Sequence, residues 1–200
     1  MRHAAESIIK YSRINRMENY KDFLQEILID ENRLKSRINE LGKAISNDYK
    51  DSNDLLLICI LRGAIIFLSD LSRQITIPHA MDFMAISSYG SGSRHSSGVV
   101  RINMDLTTNI YDKDVLVVED IIDSGNTLAY VIELLSTRRP KSLRICTLLD
   151  KFERREVDIP IRYTGFKIPD KFVFGYGLDL DEIYRNLPFI GVVDLEKYGG

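Results

Sequence analysis

Three carboxylates and a small polar turn follow an apolar run in the middle of the chain. The run covers residues 115–118, the carboxylates are Glu119, Asp120 and Asp123, and the turn is Ser124-Gly125-Asn126-Thr127. Carboxylates do not bind phosphate themselves, but they hold sugar hydroxyls or a divalent cation that bridges to phosphate oxygens. Because the turn that follows could bind an anion, the segment predicts a site for a phosphorylated sugar together with Mg²⁺.

The same stretch predicts the strand and the helix that would position this chemistry. A continuous apolar run is typical of a strand buried on both faces, as in a parallel sheet. Ser124 is a favourable N-cap residue, so residues 125–127 would form the first turn of a helix that reaches about Thr137. The free N–H groups at such a helix start bind anions, and phosphate is the usual one.

Other apolar runs predict the rest of the fold. Residues 55–61 and 143–149 are typical of buried strands, and residues 81–87 and 99–103 of two further strands. A helix beginning at Asp30 would bury apolar side chains that recur at every third or fourth position. This alternation indicates an α/β fold, a doubly wound parallel sheet flanked by helices, which binds ligands at the carboxyl ends of its strands.

A second junction of strand, turn and helix is a further candidate anion site. The apolar run that ends at Leu61 leads into Arg62 and Gly63, and a helical pattern follows. Gly63 would let the backbone approach an anion while Arg62 contributes charge, although a surface arginine would give the same pattern.

Residues 88–98 are rich in Gly and Ser and contain no aliphatic side chain. Such a segment could be a mobile hairpin tip, but long irregular loops in compact domains often cover an active site. We therefore predict a lid there.

The charged stretch after Lys151, residues 152–160, predicts an exposed loop. Beyond it, short strands and turns predict a small hood subdomain over the edge of the sheet.

The length, composition and net charge are those of an ordinary globular domain. The 200 residues are 44% hydrophobic and 28% charged, and the net charge of −2 argues against nucleic acid as a partner. No apolar run has the length of a membrane span and no signal peptide is recognisable, so we expect a cytoplasmic protein without a membrane partner. Cys59 and Cys146 lie in apolar runs and are expected to be reduced, buried thiols.

The run from Glu119 to Leu128 resembles the phosphoribosyl pyrophosphate signature of type I phosphoribosyltransferases, in the form typical of the bacterial hypoxanthine enzymes. The resemblance extends from roughly residue 30 to residue 193. It implies a purine salvage reaction, in which the 5-phosphoribosyl group moves from phosphoribosyl pyrophosphate to a 6-oxopurine with Mg²⁺ as cofactor. It also implies a homodimer or homotetramer.

The resemblance assigns roles to the residues already described. Glu119 and Asp120 would hold the ribose hydroxyls directly or through Mg²⁺, and residues 123–127 would anchor the 5′-phosphate. Asp123 would also be the general base toward the purine. Asn126 departs from members of the family that carry lysine there, which leaves backbone N–H groups and hydroxyls to bind most of the phosphate.

The resemblance also assigns three further groups of residues. Leu61, Arg62, Gly63 and Arg185 would bind pyrophosphate, and the peptide between Leu61 and Arg62 is often cis in the family. Ser88 and Tyr89 match the pair that closes the lid. The purine site would comprise Lys151 at the exocyclic oxygen, Phe172 stacked on the ring, the backbone of Val173, and Asp179, which would hold a second Mg²⁺.

These inferences divide the chain into three parts and leave some alternatives open. We expect a partly helical or flexible extension over residues 1–29, a core over 30–160 and the hood over 161–200. An RNA-binding regulator on the same fold is the alternative function. The sequence does not rank hypoxanthine, guanine and xanthine, although Lys151 with Phe172 and Val173 favours a 6-oxopurine over adenine or a pyrimidine.

Overall fold

The computed structural model describes residues 19–88 and 100–198, which form a six-stranded and a three-stranded sheet. The strands are β1 Leu24–Ile29, β2 Leu55–Leu61, β3 Ala80–Ser88, β4 Val100–Met104, β5 Asp114–Ile122, β6 Ser142–Asp150, β7 Tyr163–Lys167, β8 Val173–Phe174 and β9 Ile190–Val193. The helices are α1 Glu31–Asp48, α2 Ile65–Gln74, α3 Asn126–Thr137 and α4 Leu195–Tyr198, and two short 3-10 helices cover Tyr20–Asp22 and Phe152–Arg154.

The larger sheet has the strand order β4-β3-β2-β5-β6-β7. Its pairs are parallel except for β3 with β4, which is antiparallel. The predicted α/β fold with a mainly parallel sheet is therefore confirmed. Strand β5 lies between β2 and β6, so the ends of three neighbouring parallel strands meet at one edge.

The helices cover both faces of this sheet because successive side chains of a strand point in opposite directions. In β2, Leu57 and Cys59 pack into the cluster that contains the apolar faces of α1 and α2. Leu56 and Ile58 pack on the other side, with Val131 of α3. Burial on both faces explains why β2 and β5 are continuous apolar runs.

The smaller sheet has the order β1-β9-β8 and forms the hood, which changes the predicted boundaries in two ways. First, residues 24–29 are not a helical or flexible extension, because β1 pairs antiparallel with β9 near the other end of the chain. Second, β7 lies within residues 161–200 but pairs with β6 in the core sheet. Phe23, next to β1, packs against Phe174 and Tyr184 in the hood.

None of the helices in the described part of the chain combines the length and the apolar character that a membrane crossing requires. Cys59 and Cys146 are buried and unpaired, and burial raises the pKa of the Cys59 thiol to about 12.

Candidate active site

Glu119 and Asp120 belong to β5 itself and lie where the strand reaches the edge of the sheet. Burial, together with the neighbouring charge of Asp120, holds the pKa of Glu119 well above its usual range. Burial also raises the pKa of Asp120 to about 6, although the backbone N–H of Ile121 donates to its Oδ1 at 2.7 Å. Glu119 Oε2 is buried and accepts no hydrogen bond. An unsatisfied buried carboxylate oxygen is costly, and its position at the carboxyl edge of the sheet makes Glu119 a candidate binding group.

We expect Asp120→Asn to stabilise the protein near neutral pH. An unfolded Asp titrates near pH 3.9, whereas Asp120 in the folded protein titrates near 6. Between these two pH values the carboxyl group of Asp120 is protonated in the folded state and ionised in the unfolded state. Its contribution to the free energy of unfolding therefore falls as the pH rises from about 4 to 6. Removing the charge should raise that free energy by about 1–2 kcal/mol at pH 7.5, after allowance for partial exposure.

The measurement is urea unfolding of both proteins at pH 4.5 and at pH 7.5. The gain should shrink at pH 4.5, where the wild-type carboxyl is already protonated. Asp51→Asn, at an exposed turn, is the control and should change stability equally little at both values. An equal gain from Asp120→Asn at both pH values would mean that the effect is not one of charge.

The turn after β5 differs from the prediction at its helix cap. Helix α3 begins at Asn126 and its N-cap is Gly125, not Ser124. Gly125 has a φ of 90°, in the left-handed region, which glycine adopts without a steric cost. A side chain there would also approach Ile159 Cδ1 to 2.8 Å. The predicted anion site at this helix start is therefore shaped by glycine, and the Ser124 hydroxyl accepts from Asn126 N at 3.4 Å.

The stretch after Lys151 is largely exposed, as predicted, but it also folds back onto this turn. The N–H of Glu156 donates to Ser124 O at 2.9 Å, and Asn126 Nδ2 donates to Glu156 Oε2 at 2.6 Å. Arg155 pairs with Asp150 at the end of β6, while its Nη1 is buried and has no partner. Because the contacts of Glu156 join residues about thirty positions apart, local pattern could not show them.

Arg154 and Asp170, which the sequence did not predict as site residues, connect Asp123 with Lys151. Arg154 Nε lies 3.1 Å from Asp123 Oδ1, and Arg154 Nη1 lies 3.4 Å from Asp170 Oδ1. The same Asp170 oxygen accepts from Lys151 Nζ at 3.3 Å. Lys151 is 6% exposed, so its ammonium group needs such a partner. The run of charged residues at 153–156, just after a strand end, was the one sequence feature that could have indicated a role for Arg154.

The loop at Leu61, Arg62 and Gly63 lies against Asp120. The Leu61–Arg62 peptide bond is cis. A Cβ atom on Gly63 would lie 1.4 Å from Asp120 Oδ2, so the Asp120 carboxylate packs directly on the backbone of residue 63 because this residue is glycine. Gly177 in the hood also packs closely on this loop, since a Cβ there would lie 2.1 Å from Gly63 O.

Hood residues place Arg185 beside this loop. Arg185 Nη1 donates to Gly177 O at 2.8 Å, and Arg185 Nη2 lies 2.8 Å from Asp179 Oδ1. Arg62 Nη1 lies 2.5 Å from Glu182 Oε2, which is also 3.4 Å from Arg185 Nη2. The structure thus brings together the two arginines selected from the sequence, through an acid that was not selected.

The remaining predicted residues lie at or beside the same edge. Phe172 is 50% exposed, whereas Val173 is buried and pairs with Val192 in the hood sheet. The other two aromatic residues of this segment are buried: Phe174 is fully enclosed, and Tyr176 donates to Asp70 Oδ2 at 2.6 Å. Of the three rings, Phe172 is therefore the one exposed to a ligand. Ser88 ends β3, and Tyr89 with the rest of the predicted lid lies outside the described residues.

Within residues 19–88 and 100–198, no group of three or more His, Cys, Asp or Glu side chains is arranged to hold a metal ion. A divalent cation at this edge would need ligands from the substrate or from water in addition to Glu119, Asp120 or Asp179.

Comparisons with known proteins agree with this geometry. The phosphoribosyl transferase domain family matches residues 25–182. The hypoxanthine phosphoribosyltransferase of Salmonella typhimurium is 54% identical over 171 residues, which are 85% of this chain and 96% of that protein. The hypoxanthine-guanine phosphoribosyltransferase of Mycobacterium avium is 50% identical over 186 residues, 90% of this chain and 91% of that protein.

A solved structure gives the same result for the fold. The crystal structure of a hypoxanthine phosphoribosyltransferase from Staphylococcus aureus superposes with a TM-score of 0.86 at 44% identity, over 92% of this chain and 100% of that one. The candidate anion turn after β5 (residues 124–127), the loop after β2 and the hood are thus parts of a fold that this chain shares with a solved phosphoribosyltransferase. The chain is a member of the hypoxanthine and hypoxanthine-guanine phosphoribosyltransferase family.

Proposed function

We propose that this enzyme transfers the 5-phosphoribosyl group from phosphoribosyl pyrophosphate to hypoxanthine or guanine, which gives IMP or GMP and pyrophosphate. The observation that carries the proposal is the network Lys151–Asp170–Arg154–Asp123, which links a buried cationic donor to a carboxylate at the helix start. A donor and an acceptor held together beside an anion turn suit a purine that must be oriented and deprotonated next to a phosphorylated sugar.

In the reaction, a purine nitrogen displaces pyrophosphate from C1 of the ribose. The transition state has oxocarbenium character, so the protein has to position the reactants and stabilise the leaving group. Arg62 and Arg185 would neutralise pyrophosphate, and the N–H groups at the start of α3 would hold the 5′-phosphate. Asp123 would accept the proton that the purine loses, and Glu119 with Asp120 would hold the ribose hydroxyls.

Base choice would come from Lys151. An ammonium group donates hydrogen bonds and accepts none, so it fits the 6-oxo group of hypoxanthine or guanine and not the 6-amino group of adenine. Asp170 holds the Lys151 ammonium in place, which makes Asp170 a positioning residue for this contact. Phe172 would stack on the ring, and the backbone at Val173 would read its edge.

The residues at this edge fit Mg²⁺ as the cofactor. Mg²⁺ is usually held by one or two carboxylates, while substrate phosphates and water complete its shell. Glu119 offers an oxygen without a partner, and Asp120 lies beside it. Asp179 would have to exchange its contact with Arg185 for the second ion. When bound, Mg²⁺ supplies charge neutralisation at the pyrophosphate.

A spectrophotometric assay with phosphoribosyl pyrophosphate and Mg²⁺ tests the proposal. Hypoxanthine, guanine, xanthine, adenine and orotate are offered separately, to the wild type, to Lys151→Ala and to the surface control Lys43→Ala. We expect turnover of hypoxanthine or guanine, and a loss of about 10–100-fold in kcat/KM for Lys151→Ala, since a charged hydrogen bond is removed. Adenine should be rejected less strongly by this variant. Absence of turnover with every base would contradict the proposal.

We further propose a cytoplasmic homodimer or homotetramer whose segment 88–98 closes over the site with Ser88 and Tyr89. Two unpaired, buried cysteines suit a reducing compartment. Ile65 is 39% exposed directly after the pyrophosphate loop, where the family resemblance predicts an interface. Light scattering of the purified protein would contradict the oligomer if it gave the mass of one chain.

The RNA-binding alternative gains no support, since the relatives described above are phosphoribosyltransferases.

A further inference from the structure

We infer that Glu182 is a built-in competitor of pyrophosphate, whose carboxylate occupies the space between Arg62 and Arg185 and is displaced when the diphosphate group binds. The inference rests on the proposed function, because it takes these two arginines as the pyrophosphate ligands. Glu182 would thus affect pyrophosphate binding through its contacts with the two arginines, without touching the reacting atoms.

The contacts of a single oxygen atom carry the argument. Glu182 Oε2 lies 2.5 Å from Arg62 Nη1 and 3.4 Å from Arg185 Nη2. A carboxylate oxygen between two guanidinium groups makes the same charge-assisted contacts that a phosphate oxygen would make there. The two anions cannot occupy the space between these arginines together, so diphosphate binding requires Glu182 to leave.

The local backbone explains why this acid faces the arginines. Glu182 has a φ of 70°, and its neighbour Asp181 has a φ of 52°. Left-handed backbone is uncommon for residues other than glycine, so the surrounding contacts must hold it. Glu182 N donates to Asp179 Oδ2 at 3.0 Å, and Leu180 and Ile183 exchange backbone hydrogen bonds of 3.1 Å. The turn thus fixes where the Glu182 side chain starts.

The competitor is weak, as a displaceable group must be. The side chains of Arg62 and Glu182 are 73% and 54% exposed, and exposed ion pairs of this kind change an equilibrium only about two- to fivefold. A diphosphate carries several negative charges and can displace one carboxylate. After transfer, the return of Glu182 to the arginines would favour release of the product pyrophosphate.

The test compares the wild type with Glu182→Gln, which keeps the side-chain shape and removes the charge. Inorganic pyrophosphate in the presence of Mg²⁺ is titrated into each protein by calorimetry. We expect about two- to fivefold tighter binding by the variant, and a KM for phosphoribosyl pyrophosphate that falls by a similar factor without a rise in kcat. Glu31→Gln is the control, since it removes the remote ion pair with Lys35 on α1 and should change neither value.

A second variant covers the case in which Glu182→Gln does not fold stably. Glu182→Asn removes the charge with a residue that tolerates left-handed backbone, so it must show the same tightening if the Gln variant is unstable. Weaker or unchanged pyrophosphate binding by folded variants would overturn the inference, because the carboxylate would then support the arginines or have no effect. If the wild type itself bound no pyrophosphate, the proposed function would fail instead.

Discussion

Replacement of Asp123 by Asn is expected to lower kcat by about 10²–10⁴-fold, the usual contribution of a general base. Asn keeps the size of the side chain and its contact with Arg154, but its amide cannot accept the proton that the purine loses. In the proposed mechanism, binding of phosphoribosyl pyrophosphate rests mainly on the N–H groups of the turn and on the arginines. The KM for this substrate should therefore change only a few-fold. Steady-state kinetics with hypoxanthine at several substrate concentrations separate the two effects.

Asp158→Asn serves as the matched control for Asp123→Asn. Asp158 is exposed in the stretch that folds onto the anion turn, so this variant makes the same chemical change near the site. Its kcat should stay within twofold of the wild type. If Asp123→Asn raised KM for phosphoribosyl pyrophosphate and left kcat unchanged, Asp123 would be a binding residue and the proton would have another acceptor.

The parts of this molecule that the sequence predicted correctly are those determined by neighbouring residues. Strands β2 and β5 are buried on both faces, so each is a continuous apolar run that can be recognised in isolation. Glu119, Asp120 and Asp123 follow from the same logic, because the polar residues after such a run must lie at the carboxyl edge of the sheet.

The parts that the sequence did not predict depend on contacts between distant segments. The pairing of β1 with β9 joins the two ends of the described chain, and neither strand is distinctive alone. Arg154 and Asp170 acquire their roles from Asp123 and Lys151, which lie on different strand ends. At the cap of α3, the left-handed φ of Gly125 and the closeness of Ile159, 34 positions away, leave no room for a side chain.

Gly63→Ala is expected to reduce kcat/KM for phosphoribosyl pyrophosphate by about 10²-fold or more, since a displacement of about 1 Å at a catalytic group has effects of this size. The added methyl group would lie 1.4 Å from Asp120 Oδ2 and 2.6 Å from Asp120 Cγ, so the carboxylate or the loop must move. Gly63 is not in the left-handed region, and the effect is therefore steric. The overlap should also lower the free energy of unfolding by about 1–3 kcal/mol.

A double-mutant cycle with Asp120→Ala isolates this clash. The Cβ of residue 120 lies 3.4 Å from the new methyl group, which is ordinary van der Waals contact, so truncation of Asp120 removes the overlap. In the Asp120→Ala background, Gly63→Ala should cost less than about 0.5 kcal/mol of stability, which corresponds to a coupling of about 0.5–3 kcal/mol. Urea unfolding of the four proteins measures it.

Gly42→Ala separates a loss of stability from a loss of catalysis. A methyl group at Gly42 would lie 2.4 Å from Gln74 Cβ, between α1 and α2 and remote from the ligand edge. This variant should be destabilised at least as much as Gly63→Ala, keep kcat/KM within a few-fold, and show no relief in the Asp120→Ala background. If the two glycine variants lost activity in proportion to stability, close packing of Gly63 on Asp120 would be a property of the fold and not of the pyrophosphate site. A loss of kcat/KM confined to Gly63→Ala would instead mean that catalysis depends on the contact between the loop after β2 and Asp120. The absence of a side chain at residue 63 would then let the loop and the carboxylates of β5 contact the same substrate molecule.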